Sequence, residues 1–275
     1  MKLSVLMSLY AGEKPAFFSA CLSSFLLQTR PADEIVLVLD GPISVELEHV
    51  ISEFEVKLPI KSIRLTKNLG LAQALNAGLS VCSGDYVARM DTDDILLPER
   101  FSVQLSYMQQ NTDIDLVGSF ATEINDSGVE GSLRGMPTEH TAIVSSLWSN
   151  PFIHPAVMFK REKMLSIGGY DANLRRRQDY ELWFRCAKNG FRFANIPQPL
   201  ILYRFVAGSH KKQTVALAWE QAMIGFKGAG TLEMPAWKRF ACFVPFIRSL
   251  LPTKLQHWLY SALKRFDPRQ QKMGS

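Results

Sequence analysis

The chain has 275 residues, 47% hydrophobic and 21% charged, which supplies a sizeable folded core and excludes a disordered polyelectrolyte. Its net charge of +5 is local: residues 237–266 carry Lys238, Arg239, Arg248, Lys254, Lys264 and Arg265 with no Asp or Glu, and 31 basic residues less these six leave 25 against 26 acidic. A near-neutral body argues against a nucleic-acid binder, and four scattered cysteines (Cys21, Cys82, Cys186, Cys242) without a C-x-x-C pair argue against zinc or disulfide frameworks and for a reduced, cytosolic setting.

The apolar run Leu3–Leu9 is broken by two serines and followed by Gly12-Glu13-Lys14 without a cleavage signature, so it reads as a first strand rather than a signal peptide. Pro15 opens a helix with the stripe Phe18, Leu22, Phe25 and Leu26. Glu34–Leu39 is a β-rich run ending at the turn Asp40-Gly41-Pro42. Residues 43–54 are helix-like and 60–65 form a third strand. Leu71, Leu75 and Leu79 place a helix over 70–81, and 86–90 is a fourth strand that ends at Asp91-Thr92-Asp93-Asp94. This alternation predicts an α/β fold, a mostly parallel sheet with helices on both faces.

Beyond it a helix is expected over 99–110, a strand over Leu116–Ile124, a helix over 138–148 and a short strand over 156–160. A helix over 179–189 and two short strands, 191–195 and 200–203, complete a more mixed second half. The expected organisation is a nucleotide-binding half (1–115), an acceptor-side half of the same domain (116–212) and a helical, basic, amphipathic segment (213–275). In that segment Trp237, Phe240, Ala241 and Val244 keep helical spacing, as do Leu255, Trp258, Leu259, Ala262, Leu263 and Phe266, with Pro245 and Pro252 as breaks. Aromatic faces with purely basic flanks suit an anionic membrane surface; a terminal helix packed on the domain is the alternative. No apolar stretch approaches the ~20 residues that span a bilayer.

Ligands of open α/β sheets bind beyond the carboxyl ends of the strands. Those ends carry Ser8 to Tyr10, Asp40-Gly41 and Asp91 to Asp94 here, and Lys67-Asn68-Leu69-Gly70 precedes a helix start that favours anions. Alternate carboxylates such as Asp91 and Asp93 can share a hard divalent cation; the competing possibility is that Asp93 or Asp94 caps the following helix. Asp179, at a helix start in Gln178-Asp179-Tyr180-Glu181-Leu182-Trp183, can serve as a general base or as an N-cap. His154, between Ile153 and Pro155, could line the site or be structural. His210, in a polar loop after Arg204, could reach a metal or a diphosphate, and Arg175-Arg176-Arg177 could bind an acceptor phosphate or be solvated. The dinucleotide, Walker A, G-x-S-x-G and H-E-x-x-H motifs are absent, which removes support for those enzyme classes.

Taken together and in order, Ser4 to Tyr10, Glu34 to Pro42, Asn68 to Gly78, Ala88 to Asp94, His154-Pro155 and Gln178 to Trp183 resemble family 2 glycosyltransferases of the GT-A fold. Within that family they resemble the amylovoran and O-antigen transferases of bacterial surface polysaccharide assembly. The resemblance covers roughly residues 1–210. It implies a UDP-sugar donor with Asp40 at the uracil and Ser8, Tyr10 and Asn68 lining the nucleotide site. Asp91 and Thr92 lie at the ribose and phosphates, Asp91 and Asp93 hold Mn²⁺ or Mg²⁺ with His210 in reach, Arg204 assists the diphosphate, and Asp179 is the catalytic base. Family 2 enzymes invert, so an α-linked donor such as UDP-galactose or UDP-glucose gives a β-linked product. The implied acceptor is a sugar on a polyprenyl diphosphate, such as GlcNAc- or GalNAc-diphospho-undecaprenol, met at the cytoplasmic face of a bacterial inner membrane. Ser8-Leu9-Tyr10-Ala11 and Leu39-Asp40-Gly41-Pro42 depart from the usual proline-x-tyrosine-asparagine and Asp-Asp-Gly-Ser endings, and Gln178 stands for a frequent glutamate. A non-catalytic sugar-nucleotide binder of the same fold and a basic peripheral membrane adaptor are the competing readings.

Overall fold

The computed structural model describes residues 1–205 and 214–251. Strands β1 (Leu3–Leu9), β2 (Glu34–Leu39), β3 (Ile60–Arg64) and β4 (Tyr86–Arg89) alternate with helices α1 (Pro15–Phe25), α2 (Val45–Phe54) and α3 (Leu71–Val81). The chain continues through β5 (Ile95–Leu96), α4 (Arg100–Gln110), β6 (Leu116–Ile124), β7 (Glu130–Arg134), α5 (His140–Ser145), β8 (Met158–Lys160), α6 (Arg161–Ser166), α7 (Gln178–Lys188) and β9 (Phe193–Arg204). Helices α8 (Val215–Thr231), α9 (Ala236–Ala241) and α10 (Val244–Ser249) end the described part.

One nine-stranded sheet runs β3-β2-β1-β4-β8-β6-β9-β5, with β7 at the side of β6. The pairs β1–β2, β2–β3 and β1–β4 are parallel, as the strand–helix alternation predicts. Past β4 the sheet is mixed: β8 is antiparallel to β4 and β6, whereas β6 and β9 are parallel. Both faces are dry. Leu3, Val5, Met7 and Leu9 meet Phe18 and Leu22 of α1 and Leu47 and Ile51 of α2, while Leu6, Val36 and Val38 meet Leu75 and Leu79 of α3. Strands buried on both faces need apolar residues at every position, and that is why β1 and β2 read as continuous hydrophobic runs.

Several elements differ from expectation for local reasons. The two short strands near the end of the sheet are a single strand, β9, whose register against β6 slips between Ser119 and Ala121 opposite Pro197 and Pro199. A proline has no N–H for the ladder, so the strand bulges and then resumes. The helix over 138–148 is shorter, α5 followed by a 3₁₀ turn at Leu147–Ser149. Strands β5 and β7 and helix α6 are too short to leave a periodic pattern.

Helix α8 lays Ala218, Ala222, Gly225 and Ala229 inward, a small-residue face that packs against α7. The Tyr180 hydroxyl of α7 donates to the Trp148 carbonyl at 2.6 Å. Pro245 sits in the first turn of α10 and separates it from α9. Their inner side is aromatic: Trp219 stacks on Phe243 and Phe246, and Phe226 on Phe240 and Phe243. Trp237 at 60%, Phe240 at 66%, Ile247 at 52% and Leu250 at 58% nevertheless remain largely exposed, Trp237 with its ring edge-on to Trp148. Residues 255–266, the second amphipathic stretch, lie outside the described residues. No helix among the described residues is long and apolar enough to cross a membrane.

Candidate functional site

The ends of β1, β2 and β4 open on a cleft of about 590 Å³. Ser8, Tyr10, Asp40, Asn68, Gly70, Asp91, Thr92 and Asp93, all singled out from the sequence, line it. The Asp40 carboxylate is already engaged: it accepts from the backbone N–H of Leu69 at 2.7 Å and of Gly70 at 2.9 Å, and so shapes the turn that starts α3. Asn68 returns the contact by donating its amide to the Asp40 carbonyl at 3.2 Å. Gly41 makes this closure possible, because at φ +90° a Cβ there would lie 2.6 Å from the Asn68 nitrogen.

The acid cluster does not cap α4. That helix starts at Arg100, and its N-cap is Glu99. Instead Asp91, Asp93 and Asp94 bring carboxylate oxygens within 4.8 Å of one another. Burial, then Asp91 and Glu13, push the Asp93 carboxyl up to about 7. Burial, then Asp91 and Asp93, raise Asp94 well above the usual carboxylate range. Two buried arginines offset this charge from below. Arg89 ion-pairs with Asp91 at 2.5 Å. Arg100, brought down to about 9 chiefly by burial, donates to the Arg89 carbonyl at 2.7 Å.

Asp94 belongs with Asp91 and Asp93, although the alternate spacing singles out only the other two. Its Oδ1 accepts from the Arg204 N–H at 2.7 Å, and its buried Oδ2 has no hydrogen-bond partner. Three close oxygen donors, one of them unsatisfied, fit a hard divalent cation. Arg204 is not among the cleft-lining residues. Its guanidinium donates to the carbonyls of Asp93 and Asn125, both at 2.8 Å, and stacks on Phe17, so it braces the cluster from behind. His210 lies outside the described residues. Sequence reasoning passed over Glu13, whose carboxylate accepts from the Thr92 hydroxyl at 2.5 Å and lines the same cleft. It follows Tyr10 by three positions in a loop, where no periodicity marks it.

Asp179 is the second residue of α7 and no N-cap; that place falls to Arg177, in the left-handed region at φ +60°. Its Oδ2 accepts from the Asn150 amide at 3.2 Å. Glu181 is turned aside into a bidentate pair with Arg185, at 3.0 and 2.9 Å. Tyr170 lies within electrostatic reach of both Asp179 and Asp91. Its hydroxyl meets His154 Nε2 at 2.8 Å. That histidine is half-buried edge-on against Tyr170 and Trp183, and desolvation, then Arg89, drives its pKa well down. It is not among the residues that line the cleft.

Residues 4–183 match the family described as Glycosyl transferase family 2. The chain belongs to glycosyltransferase family 2. Amylovoran biosynthesis glycosyltransferase AmsE of Erwinia amylovora is 45% identical to this transferase over 75% of its chain and 76% of the relative. A UDP-Gal:alpha-D-GlcNAc-diphosphoundecaprenol beta-1,3-galactosyltransferase of Escherichia coli is 34% identical over 96% and 98%. An uncharacterized glycosyltransferase of Haemophilus influenzae is 36% identical over 96% and 100%. Among solved structures, S. aureus TarS 1–349 in complex with UDP superposes with a TM-score of 0.69 at 17% identity, covering 97% of this transferase and 80% of that chain. The GT-A architecture expected from the sequence is borne out.

Proposed function

We propose that this glycosyltransferase moves a hexose, galactose or glucose, from a UDP-sugar to a sugar carried on a polyprenyl diphosphate, with inversion, in surface polysaccharide assembly. The observation that carries the reading is the cleft at the strand ends with its three clustered carboxylates after β4; a separate carboxylate, Asp179, stands at the head of α7 outside the cleft-lining residues. The donor and acceptor named for the Escherichia coli relative, similar over nearly its whole length, supply the substrate classes.

In this reading Tyr10, Ser8, Asn68 and the Asp40 turn receive the nucleotide, with the N-terminus of α3 offering free N–H groups to phosphate oxygens. Asp91, Asp93 and Asp94 hold Mn²⁺ or Mg²⁺, and Thr92 is fixed beside them by Glu13. The bound cation supplies Lewis-acid stabilisation of charge on the diphosphate. Arg204 keeps Asp93 and Asp94 in place through their backbone and carboxylate contacts. Asp179 takes the proton of the acceptor hydroxyl as that oxygen bonds to the anomeric carbon. The bond from that carbon to the diphosphate breaks on the opposite face, and UDP leaves with the electron pair. Asn150 orients the Asp179 carboxylate while leaving its other oxygen for the proton.

The exposed face of α9 and α10 meets an anionic membrane at the cytoplasmic side of a bacterial inner membrane. Trp237, Phe240, Ile247 and Leu250 project outward, and residues 237–251 hold Lys238, Arg239 and Arg248 with no acidic residue. The deciding experiment is a donor screen with Mn²⁺ and synthetic GlcNAc- and GalNAc-diphospho-lipids, followed by linkage analysis. A β-linked hexosyl product is expected from a UDP-hexose; no transfer from any UDP-sugar overturns the reading.

A further inference from the structure

The loop between α6 and α7 brings two arginines to the wall of the donor cleft. Arg175 and Arg176 line it together with Asp91 and Asp93, and both are exposed. Neither makes a hydrogen bond or an ion pair with the described residues. Arg30, Arg64, Arg89, Arg134, Arg185 and Arg192, by contrast, each pair with a carboxylate. The third cation of the cleft, Lys14, is paired with Asp126 at 3.1 Å.

The base of the loop is fixed although its arginines are free. Asn76 of α3 donates to the Tyr170 carbonyl at 2.7 Å and accepts from the Tyr170 N–H at 2.8 Å. Gln73, one turn earlier, donates to the Ala172 carbonyl at 3.3 Å. Asp171 closes a turn by accepting from the Asn173 N–H at 2.9 Å. At the far end the left-handed Arg177 delivers the chain into α7. Helix α3 thus holds the loop over the cleft that its own N-terminus borders. Arg175 also forms part of a second cleft of about 400 Å³ with Lys67 and Asn68, so it stands on the ridge between the two.

A cleft with carboxylates on its floor and unpaired guanidinium groups on its wall suits a ligand that carries negative charge next to a bound cation. Guanidinium forks match phosphate oxygens in pairs, and two adjacent arginines match two linked phosphates. We infer that Arg175 and Arg176 form a diphosphate clamp in the cleft that they line together with Asp91 and Asp93. The inference rests on the proposed transfer reaction, which offers two sources of a diphosphate: the nucleotide donor and the lipid-linked acceptor.

The test compares the full chain with R175Q/R176Q and R175K/R176K. Calorimetric titrations in Mn²⁺ use UDP, uridine and inorganic pyrophosphate. Kinetics use a GlcNAc-diphospho-lipid and an alkyl GlcNAc glycoside that has no phosphate. The glutamine variant should weaken a diphosphate arm on the order of tenfold for each arginine lost, while uridine binding and, at saturating donor, the KM for the glycoside are unaffected. The lysine variant should restore part of the loss, because a point charge still attracts phosphate without the fork. Weaker UDP and pyrophosphate binding assigns the clamp to the donor. A raised KM for the diphospho-lipid alone assigns it to the acceptor. A folded glutamine variant that keeps wild-type values in every diphosphate arm overturns the inference, as does a parallel loss of uridine and glycoside. If the wild-type chain transfers no hexose yet pyrophosphate binding still falls in the variant, the clamp stands and the proposed reaction fails.

Discussion

Asp93 and Asp94 sit in a pocket of crowded negative charge, whereas Asp179, at the head of α7, keeps a single amide partner. Burial first raises the affinity of both for protons, joined by Asp91 and Glu13 at the half-buried Asp93 and by Asp91 and Asp93 at the buried Asp94, while Arg204 holds Asp94 and the Asp93 carbonyl. Asp179 is half-buried and, among the described residues, is hydrogen-bonded through one oxygen to Asn150. The contrast suits two different tasks. Crowded carboxylates store a charge deficit that a cation relieves, while a lightly held carboxylate keeps a lone pair free to accept a proton.

Four measurements break or sharpen that contrast. The largest effect is expected from Asp179→Asn, which keeps the Asn150 contact geometry but removes the proton acceptor. Initial-rate kinetics should show turnover reduced on the order of 10²–10⁴-fold with UDP binding retained; near-normal turnover in a folded variant places the base elsewhere. Asp93→Asn is the counterpart, and it should lose Mn²⁺ affinity along with turnover.

Removing Arg89 comes next. Arg89→Met leaves Asp91 facing Asp93 and Asp94 without its partner. Because Asp91 keeps a side-chain exposure of 35%, the expected loss is about 2 kcal/mol, below the ~3–5 of a fully buried pair. Urea denaturation of the metal-free chain measures it, and an unchanged midpoint means that the arginine does not offset the cluster.

The third is a pH dependence. Burial, then Asp91 and Glu13, push the Asp93 carboxyl up to about 7 in the fold, above the ordinary carboxylate range. Below about pH 7 a proton occupies the site, so Mn²⁺ affinity should fall by up to about tenfold per pH unit as pH decreases. For the metal-free chain the sign is opposite to that of a salt-bridged aspartate. The folded state binds this proton more tightly than the unfolded one, so this carboxyl's contribution to stability declines as pH rises from about 4 to about 7 and is then level. Calorimetric Mn²⁺ titrations at about pH 6 and about pH 8, with melting curves in chelator, test both directions.

The smallest effect concerns the outer face of the last helices. Trp237→Ala with Phe240→Ala should lower partition onto anionic vesicles by about tenfold or more, on the basis of the apolar area lost, with a small fall in melting temperature because the two rings also pack on Trp148 and Phe226. Flotation of equal fractions of both proteins would remove the membrane role from α9 and α10.

The first half of the sheet and the floor of its cleft were legible in the sequence. Buried parallel strands must be apolar throughout, so β1, β2 and β4 announce themselves, and their last residues, Ser8, Asp40 and Asp91, necessarily emerge together at one edge. A carboxylate at the start of α7 was legible for the same reason, since a helix start follows from local patterning. Tertiary structure alone decided what those groups touch. It joined Arg204 to Asp94 across 110 positions, set Glu13 on Thr92 across 79, and turned Asn150 onto Asp179 across 29. It also ruled out helix capping by the acid cluster, carried Arg175 and Arg176 to the cleft wall, and joined His154 to Tyr170 at 2.8 Å. Periodicity records which face of an element is buried, but a contact between two loops or strand ends leaves no repeat along the chain. Only the closed sheet brings such residues within reach of one another.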